Sequence, residues 1–154
     1  MDNILINVLY VDDEINNLNM FKATFRFTYN VFIANSPAEG VKILDENVIH
    51  VIITDQRMPE MTGVQFLKSI LDKHPDPIRI LLTGYSDINA VIDAVNQGQI
   101  YQYISKPWDE NQIKLVIEKA FEVFSLRKEN TELLQKLTQA NQQLEFLLRQ
   151  KLIS

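Results

Sequence analysis

Five short runs of β-branched, aliphatic and aromatic residues recur through the first two thirds of the chain, at 6–11 (INVLYV), 31–34 (VFIA), 51–54 (VIIT), 79–82 (RILL) and 101–104 (YQYI). Each is too short for a typical helix and too apolar for a surface loop, so each reads as a buried strand. The stretches between them carry helical spacing instead, as in Leu18, Phe21 and Phe25, Val64, Leu67, Ile70 and Leu71, or Val91, Ile92 and Val95. Parallel strands need a crossover, and a helix is the usual one, so strict alternation predicts a doubly wound α/β fold: a five-stranded parallel sheet covered on both faces. Ser36 with Glu39 and Thr62 with Gln65 have the spacing of capping boxes. Asp109 is placed to cap the last helix, and Gly98 to end the fourth.

The chain has 154 residues, enough for one ordinary core. Hydrophobic residues make up 46% and charged residues 23%, which excludes disordered and low-complexity classes. Without cysteine, neither a disulfide framework nor a thiolate metal site is possible. No apolar run approaches the roughly 20 residues of a membrane helix, and no basic signal-peptide start is present, so a soluble cytoplasmic protein without membrane contact is expected. The formal net charge of -5 argues against broad binding to nucleic acid.

That charge is uneven. Residues 1–109 hold eight Lys/Arg against fourteen Asp/Glu, whereas 110–154 hold seven against six. From Asn111 onward there is no Gly or Pro, although both punctuate the earlier region. The expected division is a compact domain over 1–125 and an extended helix over 126–154, continuous with the domain's last helix.

In doubly wound sheets, ligands gather at the carboxyl ends of the strands, where strand order reverses. The first predicted strand runs into Asp12, Asp13 and Glu14, the third into Asp55 and the fourth into Thr83, while the fifth reaches Lys106 through Ser105. Crowded carboxylates raise one another's pKa and call for a cation or a proton. Mg²⁺ suits them, being hard and oxygen-seeking. Asp55 then has the chemistry of a nucleophile that accepts a phosphoryl group as an acyl phosphate. Lys106 would offset the charge on that group and Thr83 would donate to one of its oxygens. Taken singly, each residue also has a plain structural use: acids at a helix start, a turn-forming Asp, a capping Thr, a solvated Lys.

The strings VLYVDDE, IITDQRMPEMTG, LLTGYSD and YQYISKPW together resemble the four signature segments of the response-regulator receiver domain of two-component signalling, over about residues 4–125. The resemblance implies the strand order 2-1-3-4-5 of the flavodoxin-like fold, for which a receiver is a standard example. It implies that Asp55 is the phosphoacceptor and that Asp12 and Asp13 hold Mg²⁺ with it, the backbone carbonyl of Arg57 adding a ligand. Thr83 and Tyr103 would be the switch residues, Lys106 would pair with the phosphoryl group, and a cis peptide would join Lys106 to Pro107. The implied partner is a sensor histidine kinase or phosphotransfer protein. The TGYSD and KPW wording is most similar to receivers of HD-GYP phosphodiesterases and of NtrC-like activators. Arg57 and Tyr85 occupy positions that in receivers influence hydrolysis, and their bulk is expected to restrict attacking water. Trp108 is expected to pack over the start of the last helix. His50 and His74 read as ordinary surface histidines.

As one helix, residues 109–154 would extend about 69 Å, roughly twice the width of the domain, so the distal half must project. Leu134, Leu137, Asn141, Leu144 and Leu148 follow the 3, 4, 3, 4 spacing of a coiled-coil seam, and a buried Asn141 would favour a registered parallel homodimer. A second register runs through Leu126, Leu133, Leu137, Ala140, Leu144 and Leu147. A single amphipathic helix that folds back or binds another protein is the alternative.

Three other functions compete. A Mg²⁺-dependent phosphohydrolase working through an aspartyl phosphate would usually place an acid two residues after Asp55, where this chain has Arg57. A receiver-shaped interaction module needs no phosphorylation, but the complete acidic set and Lys106 speak against it. Direct DNA binding lacks a helix-turn-helix or basic stripe. The chain is thus expected to be a signalling module that catalyses only its own phosphoryl transfer and dephosphorylation, with any enzymatic output belonging to a separate effector.

Overall fold

The structure, a computed structural model, describes residues 5–153, with the side chain of Tyr85 outside the described set. The order is β1 Asn7–Val11, α1 Ile15–Phe25, β2 Asn30–Ala34, α2 Pro37–Glu46, β3 Val51–Asp55, α3 Gly63–Ile70, β4 Ile78–Thr83, a 3₁₀ turn Tyr85–Asp87, α4 Ile88–Asn96, β5 Gln102–Ser105 and α5 Glu110–Ile153. The strands form one parallel sheet, β2-β1-β3-β4-β5. The expected strands are all present, with ends moved by one residue. The third gains Asp55, which pairs across from Leu82.

Side chains alternate across the sheet and build two cores. Val8, Tyr10, Val51, Ile53, Ile80, Leu82 and Ile104 face α1 and α5, meeting Phe21, Phe25, Ile113 and Ile117. Leu9, Val11, Ile52 and Leu81 face α2, α3 and α4, meeting Leu44, Phe66, Leu67 and Val91. Burial on both faces explains why the strands read as continuous apolar runs; each large side chain removed from water contributes about 1.5–3 kcal/mol.

Local signals set the helix ends. Thr62 and Gln65 form the complete capping box, Gln65 N donating to Thr62 Oγ1 at 3.1 Å and Thr62 N to Gln65 Oε1 at 3.0 Å. Ser36 accepts from Glu39 N at 3.2 Å, and Asp109 from Gln112 N at 3.1 Å. Gly98 turns the chain out of α4 with φ 74°, a conformation that other residues reach only with strain.

Helix α5 is continuous for 44 residues, about 66 Å. Its Ile113, Val116, Ile117, Ala120 and Phe124 are buried, and every described residue from Ser125 onward is exposed. Among the described residues, no helix is long and apolar enough to cross a membrane.

Trp108 meets Phe21 and Phe25 of α1, at 6.1 and 5.8 Å between ring centroids, and packs on the core that also holds Ile113 and Ile117 at the start of α5. One sequence expectation needs correction. His50 is no ordinary surface residue. Its ring sits edge-on to Phe121 and Phe124, and its Nδ1 accepts from Asn7 N at 2.9 Å. Bonded to Asn7, 43 residues away in sequence, and in ring contact with Phe121 and Phe124, it joins the base of the sheet to α5. His74, by contrast, is held by Asp45 at 2.8 Å.

Candidate functional site

The sheet reverses direction of travel between β1 and β3, so the loops after these strands flank a crevice. Asp12 and Asp13 follow β1, and Asp55 ends β3. The three offer ligand oxygens that all lie within 4.8 Å of one another. Asp12 and Asp55 are buried and Asp13 is exposed. Lys106, just past β5, reaches across to form an ion pair with Asp55 Oδ1.

Backbone hydrogen bonds fix these positions. Asp12 N donates to Ala34 O at 3.1 Å, Gln56 N to Leu82 O at 3.0 Å and Lys106 N to Thr83 O at 2.9 Å, so the loop-entry residues extend the sheet. The Lys106–Pro107 peptide is cis, as the resemblance implied. Gly63 brings the start of α3 against β3: a Cβ there would overlap the Asp55 carbonyl oxygen and the Leu81 side chain. Only glycine permits that approach.

Burial pushes the Asp55 carboxyl above the ordinary carboxylate range. Lys106 opposes the shift, and the charges of Asp12 and Asp13 add to it. Asp55 Oδ1 is buried without a well-aligned hydrogen-bond donor and is met by the Lys106 ammonium. Crowded, partly desolvated oxygen donors with one still lacking such a donor suit a small divalent cation. The residues present therefore fit Mg²⁺.

Thr83 is fully buried at the end of β4, but its hydroxyl donates to Gly84 O at 3.2 Å rather than to Asp55. Tyr103 lies on β5, half-buried against the core shared with α2, α3 and α4. Arg57 points its guanidinium sideways, Nε donating to Asp87 Oδ2 at 3.0 Å and Nη2 to Ser86 Oγ at 2.7 Å. Tyr85, expected to work beside Arg57, has its side chain outside the described set. The seam residues Leu134, Leu137, Asn141, Leu144 and Leu148 lie far along α5 and are all exposed.

Two contributors lie within the signature strings but were given no role by them. Tyr10 donates its phenol to Asp12 Oδ2 at 2.6 Å, and burial together with that carboxylate raises the phenol's pKa far above its usual value. Gln56 staples the loop after β3, its Oε1 accepting from Val64 N at 3.0 Å and its carbonyl from Gly63 N at 2.9 Å. Position beside Asp12 and Asp55 was the one available hint.

Residues 8–118 match the family model of the response regulator receiver domain. The chain belongs to that family. It is 35% identical over 122 residues to the hydrogenase transcriptional regulatory protein HoxA of Bradyrhizobium diazoefficiens, covering 79% of this chain and 25% of the relative. The chain spans about a quarter of the length of such curated relatives. Among solved structures, the adenylate cyclase from Rhodopirellula baltica superposes with a TM-score of 0.83 at 29% identity, covering 86% of this chain and 99% of that one. The signal receiver domain of an HD domain-containing protein from Pseudomonas fluorescens gives 0.76 at 28% identity, over 84% and 96%. These relatives attach receivers of similar sequence to differently named proteins, so the match identifies the receiver and not its output.

Proposed function

We propose that this receiver accepts a phosphoryl group on Asp55 from the phosphohistidine of a sensor kinase or phosphotransfer protein. The supporting observation is the Asp55 carboxylate at the end of β3, paired with Lys106 and clustered with Asp12 and Asp13. An Asp55 oxygen attacks phosphorus, the P–N bond breaks, an acyl phosphate forms, and the departing imidazole keeps the electron pair and takes a proton. Mg²⁺, held by Asp12, Asp13, Asp55 and the Arg57 carbonyl, would neutralise charge on the transferred group. Lys106 shifts its ammonium from the carboxylate to a phosphoryl oxygen. Thr83 exchanges its bond to the Gly84 carbonyl for a second phosphoryl oxygen, and Tyr103 on neighbouring β5 repacks with it.

In this reading, residues 1–125 form the receiver and 126–154 an output helix that pairs in parallel with a second copy through Leu134, Leu137, Asn141, Leu144 and Leu148. The exposed leucines along an otherwise polar helix support it. Phosphorylation would alter the α4–β5–α5 face and thereby the angle or register of the paired helices, passing the signal to an effector. The reading assigns the chain to the cytoplasm, without direct contact to nucleic acid or membrane.

Intact mass after incubation with acetyl phosphate and Mg²⁺, repeated on Asp55→Asn, tests the chemistry. One phosphoryl adduct on the native chain and none on the variant is expected. An adduct that survives the substitution places the reaction elsewhere.

A further inference from the structure

Asp12 is fully buried, and its hydrogen bonds are unequally divided between its two oxygens. Oδ2 accepts from the Tyr10 phenol at 2.6 Å and from Asn17 Nδ2 at 3.1 Å. Oδ1 accepts from Glu14 N at 3.0 Å. A carboxylate has about four acceptor sites, two on each oxygen, so Oδ2 is filled and Oδ1 has one left. Asp12 can therefore give a cation one oxygen but not two.

This distinction separates small from large cations. Ca²⁺ accepts bidentate carboxylates in flexible, higher coordination, whereas Mg²⁺ requires near-octahedral geometry and takes carboxylates through single oxygens. We propose that Tyr10 and Asn17, by occupying Asp12 Oδ2, make Asp12 a one-oxygen ligand and set the preference of the acidic site for Mg²⁺ over Ca²⁺. Both are positioning residues, acting through Asp12. The Tyr10 ring is stacked on Phe21 with centroids 4.4 Å apart, and Phe21 in turn meets Trp108, so the phenol is held at a fixed place over the carboxylate. Asn17 is braced by a second bond to Glu14 Oε2 at 3.2 Å. The inference rests on the cation-dependent reading above.

Isothermal titration of the full chain with MgCl₂ and with CaCl₂ tests it, comparing the native protein with Tyr10→Phe and Asn17→Ala. Tyr10→Phe keeps the stacked ring and removes only the hydroxyl. Each variant is expected to bind Ca²⁺ more tightly, lowering the ratio of the Ca²⁺ to the Mg²⁺ dissociation constant by about threefold or more, while Mg²⁺ affinity stays within about twofold. Should Tyr10→Phe fail to fold, Asn17→Ala, at a half-buried position, carries the same test. An unchanged ratio, or a shift arising only from weaker Mg²⁺ binding, overturns the inference and leaves the phosphoacceptor reading intact. A native chain that binds neither ion removes both.

Discussion

Arg57 and Asp87 tie the loop after β3 to the turn after β4, with Nε and Oδ2 3.0 Å apart. Ser86 strengthens the tie by accepting from the same guanidinium at 2.7 Å. The loop that follows Asp55 and the loop that follows Thr83 are thus joined by side chains 30 residues apart in sequence.

Because Arg57 is largely exposed, this pair adds at most about 1 kcal/mol to stability. Its consequence is kinetic. Arg57→Asn is expected to shorten the half-life of the acyl phosphate severalfold by opening the approach to attacking water. Asp87→Ala, which releases Arg57, is expected to change the lifetime in the same direction by less. Phosphate-affinity gels followed over time after acetyl phosphate is removed give both rates; an unaltered decay in Arg57→Asn would show that water does not pass this side chain.

Burial, and then the nearby Lys128, holds the His50 imidazole below its ordinary pKa of 6.5. The unfolded chain therefore binds this proton more readily than the folded one, and the stability it contributes is present above pH 6.5 and declines as pH falls toward the lower folded value. Protonation would also turn Nδ1 from an acceptor into a donor facing Asn7 N–H. Denaturant midpoints measured through that range should fall with acidity in the native chain. His50→Asn, whose amide oxygen does not titrate, should show a shallower slope even though it loses the ring contacts with Phe121 and Phe124.

Gly63→Ala forces a methyl group into the backbone of Asp55 and the side chain of Leu81. A loss of about 1–3 kcal/mol is expected, as for other overpacked sites, with slower phosphorylation because the displaced atom belongs to Asp55, the proposed phosphoacceptor. Urea unfolding and adduct formation should change together; a variant as stable as the native chain would show that α3 can retreat without cost.

Leu137 and Leu144 are each 57% exposed, on the distal part of α5, where every described residue is exposed. Replacing both by Glu should convert a dimer to a monomer in light scattering and reduce helicity, because an isolated helix of this composition frays without a partner for its apolar stripe. A native chain that is already monomeric at micromolar concentration would instead favour fold-back or a different partner helix.

The amino-acid sequence by itself determined the alternation of strands and helices, the capping residues Ser36, Thr62 and Asp109, the stop at Gly98 and the set of strand-end residues Asp12, Asp13, Asp55 and Lys106. All of these depend on periodicity or on chemistry within a few residues, which a linear pattern records. Tertiary structure alone decided that Tyr10 donates to Asp12, that Thr83 bonds the Gly84 carbonyl, that Arg57 reaches Asp87, that Trp108 meets α1 and that His50 lies between two phenylalanines of α5. Those pairings depend on rotamers and on which neighbouring groups compete for the same donor or acceptor. Strand pleat and helix crossing fix such geometry only once the whole sheet is assembled.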